Sequence, residues 1–148
     1  MRELTTPADQ ADLLKHSSNI AVLGAHPDAA RAAHYVPAYL AAQGYTLHPV
    51  NPTRTGQRLW GQPIVARLPD IPAPVELVLV FRRSDALPGH LDEIREMDPP
   101  PRAVWLQQGI RSQPFTDALV AAGITVVQDR CALVVHRQWR LGPVRPHT

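Results

Sequence analysis

The sequence predicts an α/β fold, a Rossmann-like parallel sheet of about five strands with helices on both faces. Short apolar runs alternate along the chain with stretches of helical length, which is typical of strand–helix–strand units with right-handed crossovers. The run VELVLVF, residues 75–81, is almost continuously apolar, and this indicates a strand buried on both faces. The sixteen prolines fall largely at segment ends, where they form turns.

Each predicted strand is a short apolar run bounded by turn residues. The five strands are IAVLG (20–24), TLHPV (46–50), VELVLVF (75–81), AVWLQ (103–107) and ITVVQ (124–128). A further short strand is predicted at PIVA, residues 63–66, inside the Gly- and Pro-rich segment 51–70. That segment is otherwise expected to be irregular.

The helices are predicted between and beside these strands. Their ranges are about 7–16, 29–42, 85–97, 115–123 and 131–141. Pro7 behind Thr6 is a favourable helix start. Pro37 opposes a regular second helix and is expected to kink it. Pro88 followed by Gly89 predicts that the regular part of the third helix begins late.

The length of 148 residues suits a single domain, residues 1–148, with a core at about 18–139 and a loose tail at 142–148. Hydrophobic residues make up 45% of the chain and charged residues 19%, as in ordinary globular proteins. The net charge is +2, and the arginines are spread along the chain. This composition argues against a nucleic-acid surface.

Several observations predict a cytoplasmic protein that does not cross a membrane. No segment reaches the roughly 18 to 20 apolar residues that a membrane-spanning helix needs. The first residues are polar and lack the apolar region of a signal peptide. Cys131 is the single cysteine, which excludes an internal disulfide and fits a reducing compartment.

The loop after the first strand carries the first candidate ligand-binding residues. Gly24 lets a backbone approach a ligand closely, and the following helix offers unpaired N–H groups to phosphate. Arg31 could reach back over the loop as a charged phosphate donor. Taken alone, the loop is equally consistent with having no ligand. In that case Gly24 only forms a tight turn and Arg31 is a solvated helix residue.

Three more strand ends carry polar or aromatic residues. Asn51 and Pro52 follow the second strand, Phe81 and Arg82 close the third, and a Gln-Gln-Gly segment at 107–109 follows the fourth. Because ligands of parallel sheets bind at the carboxyl ends of the strands, this layout predicts a nucleotide crevice. GAHPDA lacks the G-x-G-x-x-G pattern, and the second strand lacks a closing acidic residue, so nicotinamide dinucleotides fit poorly.

The motifs IAVLGA, GYTLHPVNP, VFRR, AVWLQQG and VVQDRC, with Arg31, Gly61 and DIP between them, resemble the small stand-alone CoA-binding domain proteins. Those proteins are similar to the CoA-binding domain of the succinyl-CoA synthetase alpha subunit. The resemblance covers about residues 18–139, and the order and spacing of PVNP, VFRR, WLQ-G and DRC make it specific. It implies a Rossmann-type domain whose ligand is coenzyme A.

The resemblance also implies a set of cofactor-binding residues. These are Gly24, Ala25 and Arg31 beside the phosphates, Val50, Asn51 and Pro52 beside the nucleotide, Phe81 and Arg82 on the adenine side, and Gln107 and Gly109 along the pantetheine path. The sequence departs from the family in one place. His26 replaces the usual serine, and Ala32-Ala33 replaces Pro-Ser after Arg31. His26 is expected to substitute as a phosphate donor.

Catalysis and metal binding have weaker support. Cys131 with Asp129 nearby could be a thiol nucleophile, with Arg130 lowering its pKa. A lone cysteine before ALVV is more often a small buried hydrophobe, Asp129 more often a helix cap, and His136 more often structural. The histidines show no metal-ligand spacing, so no metal site is expected.

The expected function is therefore reversible, non-catalytic binding of CoA or an acyl-CoA. In succinyl-CoA synthetase a different domain supplies the catalytic histidine, and the present chain is expected to lack that activity. One alternative is a sensor or regulatory subunit that binds NAD(P) or an adenine nucleotide, and a Cys131-dependent acyl-transfer enzyme is another. Arg54, Arg82 or Arg83 is expected to sense the 3′-phosphate of CoA. A protein partner or a homodimer is left open.

Overall fold

The computed structural model describes residues 2–144 and confirms the α/β Rossmann-like fold with a five-stranded parallel sheet. The strands are β1 (Asn19–Leu23), β2 (Thr46–Val50), β3 (Arg58–Leu59), β4 (Gln62–Pro63), β5 (Leu77–Val80), β6 (Ala103–Leu106) and β7 (Thr125–Val127). The order in the parallel sheet is β2-β1-β5-β6-β7. β3 and β4 form a separate antiparallel hairpin.

The α-helices are α1 (Pro7–Lys15), α2 (Ala32–Ala42), α3 (Leu91–Arg95), α4 (Gln113–Ala121) and α5 (Ala132–Gln138). α1 begins as predicted, because the Thr6 hydroxyl accepts a hydrogen bond from Asp9 N–H at 3.3 Å. α2 continues through Pro37 but begins three residues later than predicted, because the residues before Ala32 form a loop in which Ala30 N–H donates to the Asp28 side chain. No helix within residues 2–144 is long and apolar enough to cross a membrane.

The predicted helix at 85–97 is divided into a 3-10 helix, Ser84–His90, and the short α3. Pro88 lacks a backbone N–H, which explains why the regular α-helix begins only after it. The predicted strand at 63–66 is also reduced. Only β4 and a single bridge between Val65 and Val50 are formed there.

Alternate residues of the strands point to two separate layers of core. On one face Ile20 and Val22 pack with buried residues of α1, α2 and α5. On the other face Ala21 and Leu23 pack with buried residues of α3 and α4. The sheet is therefore buried on both sides, and polar groups can meet a ligand only at the ends of its strands.

Part of the segment 142–148, which was predicted to be a loose tail, packs against the C-terminal end of α2. Val144 N–H donates to the carbonyl of Gln43 at 2.7 Å, and Val144 packs against the core beside Gly44. Residues 145–148 lie outside the described residues.

The strand order creates a topological switch point between β1 and β5. The chain runs from β1 to β2 on one side and then crosses to β5 on the other side of β1. α2, which follows β1, and α3, which follows β5, lie on opposite faces of the sheet. This divergence opens a crevice at the carboxyl ends of β1 and β5.

Two buried histidines make the fold sensitive to acid. His48 Nε2 lies 3.1 Å from Asn19 Oδ1, while His136 lies 2.8 Å from the Tyr39 hydroxyl and 3.0 Å from the Gly142 carbonyl. Burial lowers the pKa of both imidazoles below the ordinary value of 6.5. The unfolded chain therefore binds protons more readily than the folded protein, so stability is present above about pH 6.5 and falls as the pH drops below it.

We expect the urea concentration at the unfolding midpoint to decrease when the pH is lowered from 7.5 to 5.5. His48→Gln or His136→Gln should make that decrease smaller. His16→Gln is the matched control, because the His16 side chain is exposed. Urea denaturation followed by circular dichroism measures both slopes. An unchanged pH dependence in both buried-site variants would contradict this assignment.

Candidate functional site

A cavity of about 520 Å³ lies at the carboxyl ends of β1, β2 and β5. Most of the residues predicted to bind the cofactor line it. These are Gly24, His26, Arg31, Val50, Asn51, Pro52, Phe81 and Arg82. Ala25, Gln107 and Gly109 do not line it. The cavity occupies the switch point of the sheet, where α/β proteins hold their ligands.

The β1 loop is fixed to the end of β2 by two backbone hydrogen bonds. Gly24 N–H and Ala25 N–H both donate to the carbonyl of Val50, at 3.0 and 3.2 Å. Ala25 is fully buried in the core, which explains why it supports the loop from below and does not line the cavity. The first residues after β1 are therefore held rigidly beside β2.

Gly24 also makes room for the chain that follows β5. Its φ is +86°, and a Cβ there would lie 2.8 Å from the Phe81 carbonyl oxygen and 3.1 Å from Arg82 Cδ. The stem of Arg82 therefore passes directly across Gly24. A side chain at position 24 would meet both a strained backbone conformation and an immovable carbonyl group.

The loop from His26 to Arg31 presents donors to the cavity. Asp28 N–H donates to His26 Nδ1 at 3.0 Å, so the Nε2 atom carries the proton of the neutral ring. Arg31 is the N-cap of α2 but makes no side-chain capping bond. The N–H groups of Ala32 and Ala33 therefore receive no cap from the Arg31 side chain, whereas His34 N–H donates to the Arg31 carbonyl at 2.9 Å.

The Asn51 side chain lines the cavity and also forms hydrogen bonds within the protein. Its Nδ2 donates to the Ala25 carbonyl at 2.8 Å, and its Oδ1 accepts from the N–H and the hydroxyl of Thr53 at 3.0 and 2.8 Å. Because both lone pairs of Oδ1 are used within the protein, the side chain chiefly ties the β1 loop to the β2 loop. Asn51 thus shapes the wall of the cavity.

The far wall contains residues that sequence reasoning missed, among them Arg67, His90 and Glu93. Arg82 Nε donates to His90 Nε2 at 3.3 Å, and His90 Nδ1 lies 2.8 Å from Glu93 Oε1. Leu68 N–H donates to the other Glu93 oxygen at 2.7 Å. Burial opposes the charge of Glu93, but hydrogen bonds from His90 and Leu68 outweigh it and hold the pKa of Glu93 below its ordinary value. The spacing His-x-x-Glu was the available sequence signal.

The remaining predicted residues lie farther along the same edge of the sheet. Gln107 is buried, and its Oε1 accepts from Ala132 N–H at 3.1 Å. Asp129 was expected to cap the last helix, but its Oδ1 accepts a hydrogen bond from Gly109 N–H at 2.7 Å instead. Cys131 occupies that N-cap position.

A second cavity of about 280 Å³ adjoins the ends of β6 and β7, and Asp129, Arg130 and Cys131 are among its lining residues. Arg54 and Arg83 line neither cavity, and the Arg83 side chain lies 3.5 Å from Asp85 in solvent. Within residues 2–144, no cluster of three or more His, Cys, Asp or Glu side chains is arranged to hold a metal ion.

The fold and the position of the large cavity place the chain among the doubly wound α/β proteins with a crevice at the topological switch point. Comparison with protein families makes the assignment specific. The model of the CoA binding domain family matches residues 18–137. The chain therefore belongs to the CoA binding domain family.

Individual relatives agree with the fold and extent of this match. The cell-free ID.343 protein of Thermus thermophilus is 47% identical, with a TM-score of 0.85 over 93% of this chain and 99% of that one. The YneT protein of Bacillus subtilis (strain 168) is 36% identical over 87% of this chain and 93% of its own length. The dinucleotide forming acetyl-coenzyme A synthetase 1 of Ca. Korarchaeum cryptofilum shares the fold, with a TM-score of 0.61 at 21% identity, over 74% of this chain and 25% of that one.

Replacing Gly24 tests the crossing of Arg82 over the β1 loop. Gly24→Ala is expected to lower the free energy of unfolding by more than the roughly 1 to 2 kcal/mol that a left-handed alanine costs alone. Gly61→Ala is the matched control, because Gly61 has a φ of +79° and nothing within 4 Å of the added methyl. Chemical denaturation of both variants measures the difference. Equal losses would show that Arg82 and Phe81 do not constrain position 24.

Proposed function

We propose that this protein binds coenzyme A or an acyl-CoA reversibly in the large cavity and performs no chemistry on it. The observation that carries the proposal is the concentration of anion donors at the switch point. Arg31, Arg67 and Arg82 line one cavity together with the first turn of α2. Such a cavity suits the phosphates of a nucleotide ligand, and membership of the CoA binding domain family supports CoA as that ligand.

The phosphate-bearing part of CoA is proposed to lie between the β1 loop and Arg82. Gly24 allows close backbone approach, His26 offers its Nε2–H, and Arg31 and Arg82 supply charge from opposite walls. The usual serine of the family also offers a hydroxyl donor at position 26. A histidine donor there preserves the hydrogen bond while adding the capacity to become charged.

The nucleotide is proposed to lie against the segment 50–52 and Phe81. Pro52 and Phe81 provide apolar residues in the lining of the cavity, which suits the faces of an adenine, whereas the Val50 side chain is fully buried. Asn51 ties the loop after β2 to the loop after β1 through its hydrogen bond to the Ala25 carbonyl. Buried Ala25 thus supports the site without contacting the ligand.

The pantetheine arm is proposed to run along the carboxyl edge of the sheet toward the second cavity. Two strand spacings, about 10 Å, separate β5 from β7. Gln107 and Gly109 directly follow β6 at this edge. Hydrogen bonds from Ala132 N–H to Gln107 and from Gly109 N–H to Asp129 connect β6 to the segment after β7. An extended arm laid along this edge would bring the thiol end toward Cys131.

The non-catalytic role rests on the state of the candidate catalytic residues. The Asp129 carboxylate accepts from Gly109 N–H and lies 3.8 Å from an Arg111 nitrogen. No hydrogen bond joins it to Cys131 in the described part of the chain. A thiol nucleophile needs a base in hydrogen-bonding reach.

A cytoplasmic location and a homodimer or other protein partner remain predictions.

Isothermal titration of the purified protein with CoA, acetyl-CoA, dephospho-CoA and NAD tests the proposal. Mass spectrometry first establishes that no ligand has co-purified. We expect saturable binding of CoA that weakens without the 3′-phosphate. Arg82→Ala is expected to weaken CoA binding by about tenfold or more, the loss of about 1.5 to 3 kcal/mol typical of a charged hydrogen bond.

Arg137→Ala is the matched control, since Arg137 lies on α5 and does not line the cavity. Binding of NAD in preference to CoA would favour the nucleotide-sensor alternative. A ligand-free protein that binds none of the four compounds would refute the proposal.

A further inference from the structure

Arg82 differs from the other arginines of the large cavity in its partner. Arg31 lies 3.9 Å from Asp28, and Arg67 forms a 3.0 Å ion pair with Glu96. Arg82 has no carboxylate partner within residues 2–144, and its Nε instead donates to the imidazole of His90. Its terminal nitrogens are therefore free to bind an acidic group in the cavity.

His90 is held so that it faces Arg82 with an unprotonated nitrogen. Arginine can only donate, so Nε2 of His90 must accept, and the ring proton is on Nδ1. That proton is donated to Glu93, whose side chain is only 8% exposed and whose other oxygen accepts from Leu68 N–H. A buried, fixed carboxylate behind an imidazole is the arrangement that stabilises an imidazolium when one forms.

We propose that Arg82 and His90 form a subsite for a phosphate oxyanion, and that His90 takes up one proton when the phosphate binds. Glu93 is the positioning residue that orients His90 and balances the new charge. The proton comes from solvent and is carried on Nε2, which changes from an acceptor of Arg82 Nε–H to a donor to the phosphate. The inference rests on the proposed function and adds to it a pH dependence of affinity.

The exchange of partners explains why proton uptake should depend on the ligand. Without an anion, the Nε2 lone pair of His90 accepts the hydrogen bond from Arg82 Nε–H, so it is not free to take a proton. A phosphate that accepts from both groups replaces that hydrogen bond and frees Nε2 to carry a proton. Other charged or titratable side chains that line the cavity with His90 are Arg31, His26 and Arg67, and Arg67 is paired with Glu96. His26 is a second histidine of the same cavity, so it requires its own control.

Titration calorimetry in two buffers of different ionisation enthalpy counts the protons taken up when CoA binds. At pH 7.0 to 7.5 we expect net uptake by the wild type and loss of that uptake in His90→Gln, which keeps a neutral hydrogen-bonding side chain and binds CoA more weakly. His26→Gln should retain the uptake, and Glu93→Gln should reduce it. Wild-type affinity should fall by up to about tenfold per pH unit in this range relative to His90→Gln.

Side-chain nitrogen spectra of the wild-type histidines give a second readout that does not depend on the variants folding. His90 should carry a proton on Nδ1 alone in the free protein and on both nitrogens in the complex. Dephospho-CoA distinguishes the two sources of phosphate. Uptake that persists with it assigns the diphosphate to the subsite, and uptake that vanishes assigns the 3′-phosphate.

CoA binding with the same proton uptake in wild type and His90→Gln would overturn the inference and leave the proposed function intact. If CoA does not bind, the proposed function fails, and adenosine 3′,5′-bisphosphate and inorganic diphosphate become the probes. A doubly protonated His90 with either anion would support the subsite. An unchanged His90 spectrum with both would overturn it.

Discussion

The absence of a side chain at Gly24 is the constraint on which the geometry of the large cavity depends. The chain leaves β1 in a left-handed conformation and turns under the end of β2, where Val50 accepts two hydrogen bonds from the loop. The same open space lets Arg82 cross from the neighbouring strand. One residue thus sets the direction of the β1 loop and the path of a cation that lines the cavity.

The sheet explains why all this chemistry is gathered at one edge. Its strands are covered by helices on both faces, so that their side chains are committed to two apolar layers. Polar residues become accessible only where strands end, and in a parallel sheet the carboxyl ends meet along the same edge. Glu93 reaches the cavity from a helix, and its buried charge is tolerated because Leu68 and His90 satisfy both oxygens.

The sequence was sufficient for the parts of the structure that depend on local pattern. Each main strand was predicted from its apolar run, and Gly24 and Arg82 were identified because they stand directly after strands. His90 and Glu93 escaped, because their segment reaches the cavity only through the packing of α3 against the sheet. The bond from Asn51 to Ala25 was not predicted, because it depends on a contact between two loops that no local pattern encodes.

A map of backbone amide shifts on titration with CoA locates the ligand site directly. We expect the largest changes in the β1 loop around His26, at Thr53, and from Arg82 to His90. A shallow cavity at the opposite, amino end of the sheet, lined by Arg2, His16 and other residues, provides the contrast. Changes concentrated there, with the carboxyl edge unaffected, would contradict the assignment of the ligand site.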